Sequence, residues 1–258
     1  PNWNWTAMIL PMVEQKPAYD VLGVSQRSAA RAVEAAFTTE PAARQVLQSP
    51  VDLFRCPSDN LPDLNAGNRQ VGYPAPGFAT LVNTANMNYA GVGNGSPAPS
   101  QHGVSMVQDP TWIQNGSMLL NAARPMSHFR DGTSNTLFIG ERVWQYPCPI
   151  SAGVTTANGC QTRAALLIMS GGLDAQRGDR CADNAGCGMG GARGSVGALP
   201  IHQKLNDANS RVQFSSMHPG GTQFALVDGK VTFISENTDL QVLEGLGTAA
   251  GNETVKVP

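Results

Sequence analysis

An α+β fold, with helical pieces at the N-terminus packed on an antiparallel sheet, is predicted by three features of the sequence. Residues 1–50 hold alanine-rich runs with apolar positions at helical spacing. The middle of the chain alternates short extended runs with glycine- and proline-rich loops, and the last third has apolar runs joined through an Asp-Gly pair. Of 258 residues 41% are hydrophobic and only 14% charged, against a usual charged share of about a quarter. With 28 glycines and 18 prolines, this is the composition of a strand-and-loop protein exposed outside the cell, not of a metabolic enzyme with charged helical surfaces. A formal net charge of −2 leaves no basic footprint, so nucleic acid and anionic lipid are not expected partners. No apolar run approaches the roughly 18 to 20 residues that span a bilayer. The chain opens at Pro1, with no visible signal peptide.

A single domain over 1–258 is expected. Its parts are a helical segment (1–50), strands and loops (51–144), a loop-rich insertion (145–205), and a C-terminal sheet hairpin with its tail (206–258). Residues 4–22, NWTAMILPMVEQKPAYDVL, read as short helical pieces that Pro11 and Pro17 break or kink, because proline lacks the N–H a helix interior needs. Gln26 to Phe37 predicts a helix, and Pro41 to Gln48 a second with proline in its first turn. VDLFRC reads as extended, ending at the turn signal CPSDN. Strands are expected within 84–93, 136–143 and 164–172, with 173–199 as surface loop. In the last third RVQFSSMH, TQFALVD and KVTFIS read as extended. The last two are joined at Asp228-Gly229, a hairpin turn that needs positive φ at both central residues. On that pairing Phe224, Leu226, Val231 and Phe233 share one apolar face. NTDLQVLEGLGT then reads as a helix.

Four of the five cysteines lie in the loop-rich segment. Cross-links would pin such loops, and the C-x5-C spacing fits zinc poorly. Local disulfides Cys148–Cys160 and Cys181–Cys187 in an oxidising compartment are therefore expected, with Cys56 buried and unpaired.

The sharpest chemical question lies in MHPGGTQFALVDGKVTFIS. His218 could pair with Asp228 as metal ligands or as an acid–base couple, with Ser215 or Ser216 as nucleophile. A nucleophilic serine usually sits at a glycine-flanked elbow, which FSSMH lacks, and the aspartate is used by its turn. Scaffolding is the expected role of both. In RDGTSNTLFIGER, Asp131, Thr133, Ser134 and Asn135 could offer oxygens to calcium. Such a string more often bonds its own backbone ahead of a strand. Glu141, at the end of that strand, is open between a buried acid and a surface residue. GCGMGGARG has neither a leading strand nor the Lys or Ser/Thr of a phosphate loop. His102, His128 and His202 have no spacing partner. Trp112, Trp144 and Tyr146 could stack on sugar, though aromatics of this kind more often pack as edges.

Six blocks, taken in order, carry a resemblance: WTAMILPMVEQKPAYD, FRCPSD, NYAGVGNG, FRDGTSNTLFIGE, SSMHPGGTQFALVDGKVTFI and LEGLGTAAGNE. Together they resemble a large secreted bacterial family with a prepilin-type N-terminal segment and a C-terminal H-x9-D-G domain of unknown function. The likeness runs nearly end to end, with a variable stretch at about 145–205. It implies a pilin-like head behind a long apolar helix of the type IV pilin and pseudopilin kind; the helix is absent from this chain. It implies no catalytic residues. His218, Asp228, Gly229, Asp131, Gly132, Ser134, Asn135 and Glu141 match motif positions only.

The function expected is that of a non-enzymatic, pseudopilin-like structural subunit of an extracellular filament or cell-envelope assembly. Its partners would be copies of itself and other envelope proteins, with membrane contact only through the absent helix. The alternative is an extracellular carbohydrate- or solute-binding module; a hydrolase built on Ser216, His218 and Asp228 ranks last. No cofactor or metal is expected, calcium being the exception kept open.

Overall fold

The computed structural model describes residues 3–64, 71–73, 80–94, 115–118, 123–144, 165–166, 198–201, 204–206, 214–251 and 255–257. Its N-terminal helical pieces have ends that local chemistry explains. α1 (Trp5–Ile9) begins at Asn4, whose side-chain oxygen accepts from Trp5 N at 2.7 Å. A 3-10 turn, Leu10–Val13, leads to α2 (Lys16–Leu22), which stops at Gly23 with φ 61. Pro11 and Pro17 each occupy the first turn of their element, where the missing N–H would have no partner anyway. They start these pieces rather than break them. Ser28 caps α3 (Ala29–Thr38), and α4 (Pro41–Gln48) has proline in its first turn. Arg27 donates to both carboxylate oxygens of Glu40 at 2.9 and 2.7 Å, and this hydrogen bonding holds that carboxyl below its ordinary range.

The segment expected to be extended at 51–56 contains a 3-10 turn, Asp52–Phe54. Alternation would have placed Phe54 on the same face as Asp52. The turn instead buries Phe54 edge-on against Trp5, ring centroids 5.9 Å apart, and leaves Leu53 62% exposed.

The strands that follow are β1 (Val71–Tyr73), β2 (Thr80–Val82), β3 (Asn86–Met87), β4 (Tyr89–Asn94) and β5 (Leu137–Glu141). After them come β6 (Ala165–Leu166), β7 (Ala198–Pro200), β8 (Gly221–Leu226) and β9 (Val231–Ser235). β1 pairs with β2 and β3 with β6, while the main sheet has the order β7-β4-β5-β8-β9. The fold is mixed α+β. Every pair in the main sheet is antiparallel except β4–β7, which is parallel. A wholly antiparallel sheet and a loop over 173–199 were expected. β7 corrects the first, since a strand reached by a long connection is free to return parallel. It also takes Ala198 and Leu199 out of the expected loop, whose remaining residues fall outside the described ones. The run RVQFSSMH forms no strand over its described residues, 214–218.

One buried cluster joins the two layers. Trp3, Leu22, Val33, Leu47 and Phe54 from the N-terminal part meet Val92, Leu137, Phe224, Leu226 and Ile234 of the sheet. α5 (Leu240–Leu246), capped by Asp239, adds Leu243 and Leu246. Gly140 makes room for a key pair. A Cβ there would lie 2.4 Å from the Phe224 ring and 2.5 Å from that of Phe214, both fully buried. The two rings pack at a 57° tilt with centroids 5.1 Å apart, and burying a phenyl group contributes about 1.5–3 kcal/mol.

The β8–β9 hairpin forms as expected, but its turn differs. Leu226 N donates to Lys230 O and Gly229 N to Leu226 O, closing a loop of Val227, Asp228 and Gly229. Only Gly229 takes positive φ, at 89. A three-residue loop shifts the register by one, which exchanges the faces of the second strand. Phe224 therefore opposes Thr232 and Ala225 opposes Val231. The expected apolar face is split: Phe224 and Leu226 are buried, while Val231 and Phe233 are 63% and 45% exposed.

Cys56 is buried and free, as expected. The expected pairs Cys148–Cys160 and Cys181–Cys187 fall outside the described residues.

Candidate functional site

Three segments distant in sequence converge at the C-terminal end of β5. Cys56 follows the 3-10 turn, Glu141 closes β5, and His218 opens the turn into β8. His218 Nε2 lies 3.3 Å from Glu141 Oε1 and 3.8 Å from Cys56 Sγ. The three donor atoms all lie within 4.8 Å of one another. Cys56 and Glu141 are buried, whereas the His218 side chain is 34% exposed. Tyr89 stands beside the cluster, opposite Glu141 in the β4–β5 register. Burial raises its phenol above the ordinary range, and the charges of Cys56 and Glu141 add to the effect.

Asn88 builds the junction from beneath. Its side-chain oxygen accepts from Cys56 N at 2.8 Å, and its amide donates to Asp59 Oδ2 and to Arg142 O. Its backbone donates to Phe54 O and accepts from Arg142 N. Asp59 Oδ2 also accepts from Trp144 N. The FRCPSD, NYAG and IGER blocks are thus stitched through one fully buried amide. The SSMH block joins them where Ser215 N donates to Glu141 O and Ser215 Oγ accepts from Val143 N. The second oxygen of Glu141 accepts from Gln223 N at 2.9 Å, so the carboxylate is aimed from β8.

The His218–Asp228 couple, weighed from the sequence and set below scaffolding, does not form. The two residues stand at opposite ends of β8, whose six residues extend about 20 Å. Asp228 Oδ1 accepts from Lys230 N within its own turn, and Asp228 N donates to Thr133 O. Ser216 Oγ accepts from the backbone of His218 rather than facing its ring. Ser215 and Ser216 are both buried.

The RDGTSN block closes on itself and on the tail. Gly132 takes φ 95, Asn135 N donates to Gly132 O, and the Asn135 amide donates to Asp131 O. Asp131 Oδ2 accepts from Gly251 N at 2.7 Å and from Thr248 Oγ1 at 3.3 Å. Ser134 is exposed. This arrangement sets a turn and anchors the tail. Of the aromatics considered for sugar stacking, Trp112 and Tyr146 fall outside the described residues, and Trp144 is half-buried.

Sequence reasoning weighed His218 and Glu141 but missed Cys56 and Asn88 as parts of one site. The available signal was that all four sit inside the quoted blocks, since local spacing says nothing about residues brought together by the fold.

A mixed α+β protein whose separated blocks meet at a buried thiol, a buried carboxylate and a partly exposed imidazole is the class that fold and site define. The chain belongs to the family described as a protein of unknown function, DUF1559, whose model matches residues 1–241. No curated protein and no solved structure gives a significant match to the chain.

Proposed function

We propose that this chain is a pilin-like head, a structural subunit of an extracellular filament or cell-envelope assembly that acts by self-association and has no enzymatic activity. The observation that carries the reading is the margin of the main sheet. β9 is its last strand, and among the described residues no other strand pairs with its outer side. An open edge offers backbone donors and acceptors to any extended segment that reaches it. Val231 and Phe233 add exposed apolar side chains to the same strand, where native edges usually place charge. The likeness of the motif blocks to the prepilin-type family supports the same reading. On it, copies of the chain and other envelope proteins are the partners, and an N-terminal apolar helix of the family's kind makes any membrane contact.

Sedimentation velocity at rising protein concentration tests this. Association should appear and should be lost when Val231 and Phe233 are both changed to Lys, with circular dichroism unchanged. A parent chain that stays monomeric throughout, sedimenting like the variant, would end the reading.

A further inference from the structure

We propose that Cys56, Glu141 and His218 bind a divalent transition-metal ion of the zinc class, leaving a fourth position for water on the exposed side of the imidazole. This goes beyond the filament reading and stands or falls separately from it.

Geometry is the first argument. With zinc–sulfur bonds near 2.3 Å and zinc–nitrogen and zinc–oxygen bonds near 2.0–2.1 Å, a tetrahedral site sets sulfur and nitrogen about 3.6 Å apart, and nitrogen and oxygen about 3.3 Å. The observed separations are 3.8 Å and 3.3 Å. Both separations from the imidazole nitrogen thus match such a site, and the sulfur and carboxylate oxygen lie within 4.8 Å of each other.

The second argument separates a metal site from a catalytic relay. In a Cys–His–acid relay the thiol and the carboxylate take opposite ring nitrogens, one to activate the nucleophile and one to orient the ring. Here both approach Nε2. That nitrogen holds at most one proton, which can point at only one of them. A cation placed among the three satisfies all of them at once.

Charge and donor type give the third. A thiolate and a carboxylate carry two negative charges, which a divalent ion neutralises in a buried setting where unpaired charge is costly. Sulfur with imidazole selects zinc-like ions over calcium or magnesium, which take oxygen ligands. The surroundings hold the ligands in place: Gln223 N takes the other Glu141 oxygen, Asn88 fixes the Cys56 backbone, and Ser216 Oγ fixes that of His218. Bound there, the ion would clamp three separate blocks of the chain together.

Cobalt(II) added to the full chain after chelator treatment is the probe. One equivalent should produce thiolate-to-cobalt charge-transfer absorption with tetrahedral d–d bands, and zinc should bleach both while raising the melting temperature. Cys56→Ser should abolish the charge-transfer band. His218→Ala, at a partly exposed position that leaves the core intact, should weaken binding by more than the roughly 10- to 100-fold that losing an outer partner costs. A parent chain without the band overturns the site. So does a band retained in Cys56→Ser, which would place the metal on other cysteines, or a zinc effect on melting that His218→Ala leaves unchanged.

Discussion

The two ends of β8 are held in different ways. At its start, His218 faces Glu141 and, across 162 positions of sequence, Cys56, all above the buried amide of Asn88. At its finish, Asp228 and Gly229 form an exposed turn whose bonds run to near neighbours and to the 130–136 loop. Both ends belong to one short motif, yet one holds distant segments together and the other sets a register. Adjacency in a motif is therefore no evidence of a shared site. β8 acts as a spacer between two separate tasks.

The comparison predicts unequal costs. Asn88→Ala removes partners from Cys56 N and Arg142 O in a buried place, each such loss costing about 1–3 kcal/mol. Urea unfolding should show a destabilisation of about 3–5 kcal/mol. Gly229→Ala meets no atom within 4 Å, so only its φ of 89 opposes the change, at about 1–2 kcal/mol. Equal losses for the two variants would break the contrast drawn here.

The Arg27–Glu40 pair, remote from both ends, sharpens it as a control. The Glu40 carboxyl is held below its ordinary 4.5 by hydrogen bonding from Arg27, so the pair adds stability above that value and loses it as pH falls through the lowered one. Glu40→Gln should melt slightly below the parent at neutral pH, and the gap should close on acidification. A gap that widens in acid would mean that the carboxylate is not stabilised by its arginine.

Much of this fold was readable in advance because it rests on local rules. The helices at Ala29–Thr38 and Pro41–Gln48 follow from alanine-rich helical spacing and a proline in a tolerated first turn, whereas Pro11 and Pro17, expected to break helices, start them instead. The β8–β9 hairpin was legible as well. Its faces were not, because the Asp-Gly pair does not reveal whether Val227 joins the turn, and that one residue decides which side chains are buried. The junction was hidden for another reason. Cys56, Asn88, Glu141 and His218 have no periodic relation; the pairing of β4 with β5 and β5 with β8, together with the Asn88–Cys56 hydrogen bond, brings them together. Asn206, at φ 55, accepts from Ser216 N and donates to Glu236, a buried brace that composition does not announce.

The placement of β7 has one more consequence. It occupies the margin of the main sheet opposite β9, and the segment entering it follows β6, whose partner β3 lies outside that sheet. Among the described residues, the main sheet thus ends on one side in a strand laid parallel to its neighbour and on the other in a tight antiparallel hairpin, so its two borders are made by different kinds of connection.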